Sequence, residues 1–249
     1  MKENSPTIAV TETLRQEPPL PCNWDAVHQL QEENKLLATG WVVTAAALTI
    51  AMAMTAPLTA PGAGVGLAAM QWTQWRAGKV ARILQVMMSL LEKFESRGVE
   101  IYQRIPIDGM NPIDLFIRFP QIAHIIVSIR SKGNTEIVYN EATEEVRVRK
   151  KNGTTSRWQP NPLVELADKE RWLAKNRWRF GMSSKEAAKT PTAKVLVLCS
   201  PTKADEHREE LYSEVGTVKT LAIRRKGTAF VIQQEELLDF VAAWLARHE

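Results

Sequence analysis

Forty consecutive residues, Leu36 to Trp75, carry no charge in a chain of 249 residues of which 24% are charged. A water-exposed helix needs a polar face, so a stretch of this length demands an apolar environment along most of its circumference. Its first part, Leu36–Ala56, is about long enough to cross a hydrocarbon core of ~30 Å at ~1.5 Å per residue, and Trp41 stands where an amphipathic ring favours the interface. Pro57, Pro61 and Gly62 then break the helix, and a second apolar piece, Gly62–Trp75, ends in Trp72 and Trp75 before Arg76, Lys79 and Arg82. The expectation is a transmembrane helix or a helical hairpin; a buried hairpin inside a water-soluble core is the alternative. A signal peptide is excluded, because the run begins late and comes after an acidic segment.

Charge sets the orientation. Met1–Lys35 holds three basic residues (Lys2, Arg15, Lys35) and six acidic ones (Glu3, Glu12, Glu17, Asp25, Glu32, Glu33), leaving 29 basic against 22 acidic in the remainder. Arg76, Lys79, Arg82, Lys93 and Arg97 come soon after the uncharged run, which places the C-terminal domain on the cytoplasmic side of a membrane. Two cysteines, Cys22 and Cys199, cannot build a disulfide framework or a zinc site. Gly62-Ala63-Gly64-Val65-Gly66 lacks the preceding strand and the later acidic residue of a nucleotide fingerprint, and Gly62 with Gly66 suits close helix packing or a turn. No nucleophile elbow, HExxH or paired Cys/His spacing occurs, and His28, His124, His207 and His248 are scattered.

The chain divides into three segments: a flexible tail over 1–22, a membrane-anchoring helical segment over 23–76 and an α/β domain over 77–249. Asn23 or Asp25 can cap the first helix. Val80, Ile83, Leu84, Met87, Leu90, Leu91 and Phe94 repeat at helical spacing, and Gly98 suits a helix end. Val99–Ile105, Ile113–Phe119 and His124–Arg130 read as strands, and the alternation around Asn140-Glu141 and before Asn152-Gly153 reads as hairpins. A helix after Pro162, a strand over Ala193–Ser200, the strands VKTLAIRR and AFVIQ, and a closing helix complete an α/β domain with a mixed sheet between helices.

That order of elements resembles the nuclease-related domain (NERD) of the restriction-endonuclease-like PD-(D/E)xK superfamily. The matching pieces are the helix ending at Phe94, Asp114 in NPIDLFIRF, the strand HIIVSIRSKG, Trp158, Asn161-Pro162-Leu163, VLVLCS and EELLDFV. The resemblance implies a site in which an Asp and a Glu on neighbouring strands hold a divalent metal through oxygen and a Lys activates water. Asp114 takes the first position, but Ser128 stands in the second and Arg130 in the third, with Lys132 beyond. Serine supplies no charge to offset desolvation of Mg²⁺, and arginine stays protonated and cannot act as a base. The catalytic motif Asp114, Ser128, Arg130, Lys132 is therefore degenerate, and no metal or other cofactor is expected. The alternative is a Mg²⁺-dependent nuclease with a relocated carboxylate, Asp108 or Glu136.

Two basic patches suit DNA or RNA phosphates. One holds Arg147, Arg149, Lys150, Lys151 and Arg157; the other holds Lys169, Arg171, Lys175, Arg177 and Arg179, interleaved with Trp172 and Trp178 for stacking. Solvated charged faces are the competing reading, and attraction to anionic lipid is a third. The sequence thus points to a membrane-anchored protein whose inactive nuclease-like domain binds nucleic acid or protein, with a structural subunit of a membrane complex, self-associating through its apolar segment, as a further alternative.

Overall fold

The computed structural model describes residues 19–54, 60–224 and 227–249. The expected tail therefore lies almost wholly outside the described residues, as do Ala56, Pro57 and Arg225. Two long helices open the chain: α1 (Asn23–Met54) and α2 (Ala60–Phe94). They are antiparallel, because only five residues join them and Arg76 of α2 reaches back to Glu33 of α1 at 2.9 Å. The expected break in the uncharged run is present, since α1 ends at Met54 and α2 begins at Ala60; Pro61, the second residue of α2, sits where a missing N–H costs nothing. α2 then runs uninterrupted from the uncharged stretch into the core.

The base of this hairpin is fastened tightly. Asn23 does not cap its helix; its side chain donates to the Val99 carbonyl and accepts from Ile101 N–H at 2.9 and 2.8 Å, tying α1 to the first strand. Trp24 Nε1 donates to Glu95 at 2.7 Å, and Glu33 also accepts from Arg104. Ala26, Val27 and Leu30 of α1 and Val80, Ile83, Met87, Leu90 and Leu91 of α2 are buried at helical spacing against the sheet.

Eleven strands come after the hairpin among the described residues. They are β1 (Glu100–Ile107), β2 (Met110–Phe119), β3 (Ala123–Arg130), β4 (Thr135–Asn140), β5 (Glu145–Lys150), β6 (Thr155–Arg157), β7 (Thr192–Leu198), β8 (Lys203–Ala204), β9 (Tyr212–Val215), β10 (Val218–Arg224) and β11 (Thr228–Gln233). Between β6 and β7 lie α3 (Pro162–Lys175) and the short α4 (Ser184–Lys189), and α5 (Leu237–His248) ends the chain. The main sheet has the order β1-β2-β3-β7-β11-β10-β9, with β3–β7 and β7–β11 parallel and the other pairs antiparallel. A smaller sheet has the order β6-β5-β4-β8. The result is the expected mixed sheet between helices: α1, α2 and α5 cover one face, while α3 and the small sheet cover the other.

β2 from Ile113 onward and nearly all of β3 are buried because both faces of the sheet are covered, which is why they lack the alternation of a half-exposed strand. α3 starts cleanly: Asn161 accepts from Leu163 N–H at 3.0 Å, and Pro162 occupies the first helical position.

The expected transmembrane helix is corrected at this point. Among the described residues no helix is long and apolar enough to cross a membrane. The first turns of α1 belong to the charged, folded base. Beyond them the hairpin nonetheless carries exposed apolar side chains, among them Leu36 at 72%, Val43 at 62% and Trp75 at 67% exposure, together with Trp41, Val42 and Trp72.

Candidate functional site: a carboxylate enclosed by cations

Asp114 enters β2 beside β3, in a register that pairs Leu115 with Val127 and so brings Asp114 opposite Ser128. Its carboxylate is fully buried. A buried anion has to be compensated, and here the compensation comes from cations on three elements. Lys79 Nζ, from α2, lies 2.7 Å from Oδ1. Arg130 Nη1, at the end of β3, donates to Oδ2 at 2.5 Å, and Ile129 N–H donates to the same oxygen at 2.9 Å. Ser128 Oγ stands farther away at 3.5 Å. Burial alone would raise the Asp114 pKa, but the Arg130 and Lys79 charges outweigh it and hold the carboxyl below its usual range.

Lys169 approaches from α3, on the other face of the sheet. It is 0% exposed, and its ammonium has no hydrogen-bond partner among the described residues. Desolvation brings its pKa down to about 8, with the Asp114 charge opposing that fall. Glu165, one turn earlier on α3, lies 3.4 Å from Arg130 Nη2 and accepts from Asn111.

The motif residues Asp114, Ser128 and Arg130 are thus brought together, and Lys132 lines the adjoining cleft with Arg130. Neither relocated carboxylate joins them. Asp108 is exposed in the β1–β2 turn, and Glu136 lies on β4, paired to Arg149 at 2.6 Å. Among the described residues no three His, Cys, Asp or Glu side chains cluster as a metal site. The donor set does not fit Mg²⁺, since both Asp114 oxygens already face protein cations and a hard dication needs several oxygen ligands.

Sequence reasoning missed Lys79, Glu165 and Lys169 as members of this cluster. For Lys169 a signal existed. It stands three residues after Leu166 and four before Leu173, which places it on the apolar face of α3. Its assignment to an exposed basic patch is therefore wrong. No comparable signal marks Lys79, because nothing in α2 itself reveals that a buried aspartate will lie beside it.

The remaining basic residues are partly committed to neighbours. Arg149 bridges Glu136 and Asp205 at 2.6 and 2.7 Å, Arg147 lies 3.7 Å and Arg157 3.0 Å from Glu145, and Arg171 pairs with Asp168 one turn away. Arg177 donates to Ser184, and Arg179 lies over the Trp172 ring at 5.8 Å. Lys150, Lys151 and Lys175 are exposed, as is Trp178.

His124 is buried on β3 with its ring edge-on to Phe116 and its Nε2 unpartnered. Desolvation lowers its pKa to about 4, so it is neutral at pH 7. No family model, curated protein or solved structure matches this chain.

Proposed function

We propose that this chain is a non-catalytic binding protein: a nuclease-like α/β domain of the NERD type, without metal chemistry, held at the cytoplasmic face of a membrane by the α1–α2 hairpin. The observation that carries the reading is Lys79. It belongs to the hairpin helix α2, and its ammonium lies 2.7 Å from Oδ1 of Asp114, so that a positive group of the protein already stands beside an oxygen a metal would need. Hairpin and site are therefore one unit, and the carboxylate fixes the hairpin's base instead of holding an ion. Arg130, on the other oxygen, stays protonated and cannot take a proton from water, which removes the base that the motif's third position would supply.

The hairpin's uncharged half supports the lipid part. Between Lys35 and Arg76 there is no charge, and exposed Leu36, Trp41, Val42, Val43, Trp72 and Trp75 present aliphatic and aromatic surface on both helices. Contiguous exposed apolar surface of this kind marks an interaction site, and tryptophans beside a belt of basic residues match the interfacial zone of a bilayer. An antiparallel hairpin enters and leaves on one side, so embedding in the near leaflet needs no crossing helix.

Two measurements on the full-length chain test this. Co-flotation with phosphatidylcholine vesicles is expected, and a chain that stays at the bottom of the gradient refutes the lipid seat. Incubation with supercoiled DNA and Mg²⁺ or Mn²⁺ is expected to leave it intact; nicking that disappears in Asp114→Ala overturns the non-catalytic reading and restores the nuclease alternative.

A further inference from the structure

Beside Asp114, at the foot of the hairpin, lies an open cleft of roughly 200 Å³ with an unusual charge balance. Lys79, Arg82, Arg130 and Lys132 all line it, and among the described residues Glu165 is the one carboxylate in its wall. Asp114, buried behind the wall, compensates part of that charge, while Lys169 behind it adds one more positive group. Summed over these groups, five cations face two carboxylates.

The cations differ in how far they are spent. Arg130 uses Nη1 on Asp114 and holds Glu165 only at 3.4 Å. One Lys79 donor is taken by Asp114, which leaves the others for the cleft. Among the described residues neither Arg82 nor Lys132 has a carboxylate partner. Arg82 meets the Cys199 thiol, and Lys132 lies 5.4 Å over the buried Trp158 ring. A concave site that gathers guanidinium and ammonium donors from α2, β3 and the loop after β3, without enough carboxylates to pair them, is incomplete without an anion.

We infer that this cleft binds a phosphate group, with Arg82 and Lys132 as its free donors and Arg130 and Lys79 as shared ones. Phosphate suits it chemically: four tetrahedral oxygens accept from several donors at once, and guanidinium forks recognise phosphate oxygens in pairs. A dianionic phosphomonoester offsets the surplus charge better than a monoanionic diester. Trp75, the last residue of the uncharged stretch, lines the same cleft. That position puts the cleft at headgroup depth if the hairpin is seated in lipid, so a phosphomonoester lipid headgroup is the favoured source. This choice of source rests on the proposed lipid seat; the phosphate site itself does not.

The test uses the full-length chain in a mild non-ionic detergent. Inorganic phosphate is titrated by calorimetry at constant ionic strength, with sulfate and chloride as controls. Saturable phosphate binding is expected, weakened about tenfold or more in Arg82→Gln/Lys132→Gln, because each residue donates charge-assisted hydrogen bonds to the ion. Neither residue contacts Asp114, and an unchanged melting temperature of that variant confirms that its fold is intact. No saturable binding, or binding that the double substitution leaves unaltered, overturns the inference.

Flotation with vesicles then separates the sources. Vesicles doped with phosphatidic acid are compared with phosphatidylserine at equal surface charge. A preference for phosphatidic acid that the double variant loses assigns the site to a lipid headgroup. Equal flotation with both, alongside saturable inorganic phosphate binding, assigns it to a soluble phosphomonoester. Flotation with phosphatidylcholine alone reports on the hairpin, so failure of the lipid seat and failure of the phosphate site give different results.

Discussion

Replacing Asp114 by Asn removes the negative charge from the middle of the cluster while conserving its shape. Two cations, Lys79 at 2.7 Å and Arg130 at 2.5 Å, then lose their common counter-ion, and Lys169 on the far side loses the charge that partly offsets its burial. Breaking a buried ion pair by removing one partner costs about 3–5 kcal/mol. In a chain of this size 1 kcal/mol shifts the melting temperature by roughly 2–4 °C, so Asp114→Asn should lower it by about 6–20 °C. The assay is thermal and urea denaturation of the full-length chain, monitored by tryptophan fluorescence. Adding Arg130→Met to the Asn variant should recover part of the loss, because an uncompensated charge is removed again. The sign is the informative part. A carboxylate kept for a metal and otherwise repelled by neighbouring acids would be relieved by Asn, so a melting temperature unchanged within about 2 °C, or raised, refutes the reasoning.

Lys169→Met should stabilise the protein. The ammonium's pKa is lowered from 10.5 to about 8, equivalent to roughly 3 kcal/mol of penalty for its charged form. That penalty is complete below pH 8 and fades as pH rises from about 8 to 10.5, so the variant's advantage in urea unfolding should be largest at pH 7 and vanish above pH 10.5. His124, with a folded pKa near 4, must be buried neutral; stability should fall by about 3 kcal/mol as pH drops from 6.5 to 4, and His124→Phe should flatten that slope in denaturation curves taken across the range. Trp41→Ser combined with Val43→Ser, both on exposed positions of the hairpin, should weaken vesicle co-flotation several-fold while leaving the melting temperature unchanged.

The elements that sequence alone located best are those whose pattern is set locally. β1, β2, β3, β7, β10, β11 and α5 fall close to their expected positions, because β-branched runs between Gly, Pro and Asn leave little choice. The division into two sheets was not legible. β4 and β5 alternate like any hairpin, and only the pairing of β4 with the two-residue β8, far along the chain, shows that they leave the main sheet. That α1 and α2 lie side by side was not legible either; the salt bridge between Glu33 and Arg76, 43 residues apart, shows that they are antiparallel.

The site divides the same way. Asp114, Ser128 and Arg130 were identifiable because they sit on adjacent strands within one local motif. Lys79 and Lys169 come from helices on opposite faces of the sheet, and their convergence on Asp114 is a product of layer packing. Composition also misled: counting Lys169 with its basic neighbours ignored that charge on a helix says nothing about which way it faces, whereas its spacing from Leu166 and Leu173 did.

The central claim is that the place of a hydrolytic cation at Asp114 is taken by the protein's own Lys79 and Arg130. Manganese binding to the full-length chain, monitored by electron paramagnetic resonance of the free ion, tests it most directly. The account predicts no saturable site up to millimolar Mn²⁺ and identical titrations for the unaltered chain and Asp114→Asn. A stoichiometric site that the substitution abolishes would contradict it.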